Sequence, residues 1–174
     1  GELAAADPEA AARLHPNDRK RIVRALEVFQ QTGKTISQHN RETRALPLRY
    51  DALTLSLAFQ RREDMWARID RRVDEMMAAG LAEEVRALLD SGVPARCTAM
   101  QAIGYKEMAA AQRGGGDVCA AAEEIKLRSR QYAKRQLTWF RRTEGAKWLF
   151  WGPEPDFEAA CRTSTKYLEE FGLV

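Results

Sequence analysis

The chain has 174 residues, 45% of them hydrophobic and 30% charged, with 28 Lys+Arg against 25 Asp+Glu. This is the profile of a globular chain and excludes a disordered or fibrous one. No apolar run approaches the roughly 20 residues of a membrane span. The opening Gly1-Glu2-Leu3 lacks a basic stretch leading into an apolar one, so no secretory signal is expected. Cys97, Cys119 and Cys161 are odd in number and far apart, which predicts reduced thiols in a cytoplasmic protein, without a disulfide framework or zinc site.

In chain order, Asp7-Pro8 reads as an N-cap followed by proline at the first helical position, opening a short helix that His15-Pro16 ends. A second helix is predicted over 18–32, with Ile22, Leu26 and Phe29 on its apolar face and Gly33 closing it. A short polar helix over 37–43 precedes a break at Pro47. Residues 50–59 alternate with period two through Leu53, Leu55, Leu57 and Phe59, which predicts a strand. Helices follow over 63–79, 81–91 and 99–112, separated by Gly80, by Gly92 with Pro94, and ended by Gly114-Gly115-Gly116. Asp117 caps the longest helix, to about residue 142. A second strand is predicted over 147–151 and a last helix over 156–171. Two strands do not make a stable sheet alone, so further strands outside these residues are expected.

Positive charge clusters in two places. Residues 126–142 hold seven bases and no acid: Lys126, Arg128, Arg130, Lys134, Arg135, Arg141 and Arg142. On a helix they flank a seam of Ile125, Tyr132, Ala133, Trp139 and Phe140, able to dock on a core while presenting guanidinium groups to phosphates. Arg19-Lys20-Arg21-Ile22-Val23-Arg24 puts cations in the first helical turns against the macrodipole, a conflict that either a bound phosphate or the neighbours Asp18 and Glu27 would relieve. Gly33-Lys34-Thr35 looks like the end of a phosphate-binding loop. The glycine required five positions earlier is Val28, inside a helix, so the helix-closing reading is preferred. Gly104 falls inside the predicted 99–112 helix, where glycine costs about 1 kcal/mol and signals close approach of a neighbour. Arg68, Arg71 and Arg72 could clamp an anion or pair with Asp64, Asp70, Asp74 and Glu75 on their own helix, the latter being the default. No nucleophile–base pair or metal cluster emerges. From the residues alone the chain reads as mostly helical and nucleic-acid binding.

Longer motifs go further. His15-Pro16-Asn17-Asp18, Arg21-Ile22-Val23-Arg24-Ala25-Leu26-Glu27-Val28, Thr32-Gly33-Lys34, Arg68-Ile69 with Arg72, and Gly80-Leu81 with Glu83-Glu84-Val85 occur in order. Ala102-Ile103-Gly104-Tyr105-Lys106 and Arg130-Gln131-Tyr132-Ala133-Lys134-Arg135-Gln136-Leu137-Thr138-Trp139-Phe140-Arg141 complete the set. Together they resemble the bacterial tRNA dimethylallyltransferase (IPP transferase) family over residues 7–150.

That resemblance implies an α/β fold: the mostly helical C-terminal part of a P-loop NTPase-like core (47–174) plus the second part of a helical insertion domain (1–46). The implied activity transfers a dimethylallyl group from dimethylallyl diphosphate to N6 of the adenosine 3′ of the anticodon, with Mg2+. The family's phosphate-binding loop, aspartate base and substrate-contacting threonine have no match here, so no catalytic residue and no metal ligand is expected in this chain. By the same resemblance, three segments are expected to contact the tRNA anticodon stem-loop: Lys20-Arg21-Ile22-Val23-Arg24, Gln101-Ala102-Ile103-Gly104-Tyr105-Lys106 and Lys134-Arg135-Gln136-Leu137-Thr138-Trp139-Phe140-Arg141. Arg68 and Arg72 are expected near the diphosphate. A monomer without membrane contact is expected. The rival readings are an adenine-nucleotide isopentenyltransferase and a non-catalytic helical RNA-binding module.

Overall fold

The computed structural model describes residues 1–47 and 49–173. It forms two compact units, Gly1–Ala52 and Leu53–Val174.

The first unit is helical throughout: α1 (Glu2–Ala6), α2 (Pro8–Arg13), α3 (Arg19–Thr32) and α4 (Ile36–Ala45). Its boundaries follow from local chemistry. Asp7 accepts from the Ala10 N–H and caps α2, with Pro8 at the first helical position. Asp18 caps α3 through the Arg21 N–H, and Gly33 ends it at φ +70°, a conformation that only glycine adopts at little cost. Thr35 and Gln38 then form a capping box on α4. Gly33-Lys34-Thr35 is therefore a joint between two helices. The sequence reading missed α1, whose five residues are too few to show a period. Small residues set the packing: Leu3, Ala10 and Ala25 are buried, with Leu14, Ile22, Leu26 and Ile36 against them. Phe29, expected on the apolar face, is 37% exposed.

The second unit pairs β1 (Leu55–Phe59) in parallel with β2 (Lys147–Trp151), with Leu57 opposite Leu149. The chain between them forms α5 (Arg62–Ala78), α6 (Leu81–Asp90), a 3-10 turn (Ala99–Gln101), α7 (Tyr105–Gly114) and α8 (Val118–Phe140); α9 (Phe157–Phe171) follows β2. Gly80 turns α5 into α6 at φ +97°, and Asp117 caps α8 through the Cys119 N–H. α8 lies along α5 and α7, and α6 lies against α7. Their shared core is Val73, Leu81, Ala82, Val85, Met100, Met108, Ala109, Ala121 and Ile125. β1 is shorter than the predicted 50–59 and buries Ser56 and Ala58, while Leu57 and Phe150 are 53% and 58% exposed. No helix among the described residues is long and apolar enough to cross a membrane. The three cysteines are free thiols.

Two sequence expectations are corrected here. Residues 99–112 are not one helix: the 3-10 turn ends at Ala102 with extended backbone, and Gly104 takes φ +106° as the residue before α7. Gly104 is thus a conformational requirement, not a tolerated defect inside a helix. The apolar seam of α8 docks only in its first half. Ile125 is fully buried, but Tyr132, Trp139 and Phe140 are exposed.

Candidate nucleic-acid interface

The seven bases of residues 126–142 divide by position along α8. In the first half each is held. Lys126 Nζ lies 2.7 Å from Asp74 and 2.8 Å from Glu123, Arg128 lies 2.6 Å from Glu124, and Arg130 lies 2.8 Å from Asp70. The two carboxylates beside Lys126 hold its ammonium pKa above the ordinary lysine value. Asp70 and Asp74 sit on α5, so these pairs pin α8 to α5. The expected pairing of Arg68, Arg71 and Arg72 with acids of their own helix does not form. Asp70 and Asp74 face α8 instead, and Arg71 reaches Glu154 at 3.4 Å.

In the second half, Lys134, Arg135, Arg141 and Arg142 have no acidic partner within 4 Å among the described residues. Exposed aromatics stand among them. The Arg135 guanidinium lies 5.6 Å from the centre of the Tyr132 ring, and Trp139, 66% exposed, meets Phe140 edge-on at 5.4 Å. Cations interleaved with open aromatic faces suit a strand of nucleic acid, whose phosphates need charge and whose unstacked bases need flat apolar partners. Of residues 134–141, only Leu137 is half-buried; the others are exposed.

The 101–106 segment meets α8 at two grooves. One, of about 630 Å³, is lined by Gln101, Ile103 and Lys106 from the segment and by Arg128, Gln131 and Arg135 from α8. The other, of about 620 Å³, has Arg72, Gln101, Ala102 and Ile103 on one side and Tyr132 and Gln136 on the other. The second and third sequence segments are therefore neighbours, and Arg72 joins them. Arg68 is exposed but lines neither groove. Within the segment Gly104 is buried and Tyr105 and Ile103 half-buried, so Gln101, Ala102 and Lys106 are its open residues. Tyr132 and Gln131 were outside the residues assigned to tRNA. Their signal was an aromatic and an amide one turn before Lys134-Arg135.

The 20–24 segment belongs to the first unit. Lys20, Arg21, Val23 and Arg24 are exposed, whereas Ile22 packs on the Leu3–Ala10–Ala25 cluster. Arg21 pairs with Asp18 at 3.1 Å and Arg24 with Glu27 at 3.9 Å. Both are open surface pairs of little strength, so a phosphate could displace either acid. No three His, Cys, Asp or Glu side chains among the described residues come together as a cation site.

Residues 1–143 match a family model described as IPP transferase. The tRNA dimethylallyltransferase 1 of Trichlorobacter lovleyi is 51% identical over 148 residues, covering 85% of this chain and 48% of that protein. The tRNA dimethylallyltransferase of Bacillus subtilis is 46% identical over 157 residues, covering 90% and 49%. The crystal structure of a full-length tRNA isopentenylpyrophosphate transferase from Bacillus halodurans matches with a TM-score of 0.66 at 35% identity, covering 98% of this chain and 50% of that one. The chain spans about half the length of these relatives. With a family match over residues 1–143 and identities of this size, the chain belongs to the IPP transferase family.

Proposed function

We propose that this chain is the C-terminal, tRNA-holding half of a tRNA dimethylallyltransferase. The full-length enzyme transfers a dimethylallyl group from its diphosphate to N6 of the adenosine 3′ of the anticodon. The proton acceptor, the phosphate-binding loop and the Mg2+ ligands belong to the half outside these residues, so this chain alone does not catalyse transfer. The exposed apolar positions Leu57 and Phe150, on opposite faces of a two-stranded parallel sheet, support the view that the other half covers this sheet, since parallel strands are ordinarily covered on both faces.

The observation that carries the reading is the run of unpaired cations and open aromatics over residues 132–142, sharing two grooves with the 101–106 segment. In this reading Lys134, Arg135 and Arg141 neutralise anticodon-stem phosphates, and Trp139 offers a stacking face to an unpaired base. Lys20 and Arg24 add phosphate contacts from the first unit. Arg72, with Arg68 one turn before it, stabilises the charge gained by the departing diphosphate.

Arg24→Ala and Arg141→Ala are each expected to weaken binding of an anticodon stem-loop. Each should also lower the slope of log affinity against log salt by somewhat under one unit, as one released phosphate contact requires. Salt-titrated fluorescence anisotropy measures both. Unchanged affinity and slope in both variants would remove these residues from the interface. Fusing the N-terminal half of a relative to this chain should restore transfer to tRNA. Competition by free adenine nucleotide for that transfer would instead favour a nucleotide prenyltransferase.

A further inference from the structure

The 101–106 segment turns through a glycine at φ +106°, and glycine loses more conformational freedom on ordering than any other residue. Such a turn keeps one shape only if its flanks are tied. Three ties are present. The Gln101 side-chain amide donates to the Ala95 carbonyl at 3.0 Å, the Gly104 N–H donates to Glu107 Oε2 at 2.9 Å, and the Tyr105 hydroxyl donates to Glu84 Oε1 at 2.5 Å. The first two reach only nearby chain. The third reaches α6, which is anchored in the core by Leu81, Ala82 and Val85. Its length is that of a charge-assisted bond between a hydroxyl and a carboxylate, about twice the strength of a neutral one. The same bond and the negative charge of Glu84 raise the Tyr105 pKa above its ordinary value.

Glu84 itself lies outside the groove that Lys106 shares with Gln131 and Arg135, so its contact with the segment runs through the Tyr105 hydroxyl. Resting on the tRNA-holding reading above, we propose that Glu84 is a positioning residue: through the Tyr105 hydroxyl it fixes the 101–106 turn so that Gln101, Ala102 and Lys106 face the RNA. Tyr105 then spends its hydroxyl proton on Glu84 and donates no hydrogen bond to RNA.

The test compares Glu84→Ala with Glu84→Gln in the full chain. Both lose the charge, and only glutamine keeps an oxygen able to accept from Tyr105. Salt-titrated binding of an anticodon stem-loop should be roughly five-fold weaker for Glu84→Ala than for Glu84→Gln, with equal salt slopes because no phosphate contact changes. The difference should vanish when Tyr105→Phe is also present. Equal affinities of the two variants would overturn the proposal, as would a difference that survives Tyr105→Phe. Amide hydrogen exchange in the free chain gives a second readout that needs no RNA. Exchange over 101–106 should be faster in Glu84→Ala than in Glu84→Gln, and identical exchange would overturn the proposal even if the wild-type chain bound no RNA. A wild-type chain that fails to bind would count against the tRNA-holding reading alone.

Discussion

Asp7→Ala is expected to destabilise the first unit by about 2–4 kcal/mol, the larger of the stability effects anticipated for single polar residues. Asp7 is buried, and its two oxygens do separate jobs. Oδ1 accepts from the Ala10 N–H at 3.0 Å as the cap of α2, and Oδ2 accepts from the Ser37 N–H at 3.1 Å in the first turn of α4. Losing a cap costs about 1 kcal/mol, and leaving a buried N–H without a partner costs about 1–3 kcal/mol more. Burial pushes the Asp7 pKa up, but the Ala10 and Ser37 donors and the Arg13 guanidinium outweigh it and hold the carboxyl below its ordinary value. A depressed carboxylate stabilises the fold above the unfolded pKa, and that contribution is lost as pH falls through the folded one. Acid should therefore loosen residues 1–52 below about pH 4, and Asp7→Ala should remove that part of the pH dependence. Hydrogen exchange across residues 1–52 against pH and denaturant measures both effects. An Asp7→Ala chain with wild-type protection would show that the bond between α2 and α4 contributes nothing.

The second large effect separates two groups of cations that composition alone treats as one. Replacing Lys134, Arg135, Arg141 and Arg142 together by alanine should weaken stem-loop binding at least about 100-fold and lower the log–log salt slope by about three units, with little change in stability. Replacing Lys126 and Arg130 by alanine should do the reverse. These two hold Asp74 and Asp70 on α5, at 2.7 and 2.8 Å, and are themselves largely covered. Their removal leaves the half-buried Asp70 carboxylate without its partner, Asp74 being exposed, and costs stability first. Thermal melts and salt-titrated binding on both variants make the comparison. Equal losses of binding in the two would mean that net charge, not its placement at the open end of α8, governs the interaction.

Much of this fold was legible because the signals are local. Asp7-Pro8, Asp18, Gly33 and Asp117 mark helix ends through side-chain acceptors or left-handed backbone within three residues of the boundary. The 147–151 strand was read to its ends because glycines bracket an apolar run. The illegible parts depend on distant partners. The local signal of the break, Gly104, is also compatible with close packing inside a helix, which hid the change of backbone at Ala102 and Gly104. Asp70 and Asp74 had arginines at helical spacing on their own element, which hid their pairing with Arg130 and Lys126 some 50–60 residues later. The helical wheel of α8 placed Ile125 and Trp139 on one seam, but it carries no information on how much of that seam the fold covers. The candidate segments were found by motif. Which of their residues are open, and which only support the others, emerged from burial and hydrogen bonding.

The most direct test of the central claim is salt-titrated binding of this chain to an unmodified anticodon stem-loop carrying adenosine at the target position, against a scrambled hairpin of equal length and charge. The expected result is tighter, steeply salt-dependent binding to the anticodon stem-loop, with the preference persisting as salt rises because base contacts are screened less than phosphate contacts. Equal affinity for the two hairpins at every salt concentration would contradict it, reducing residues 101–106 and 134–141 to a basic surface without tRNA recognition.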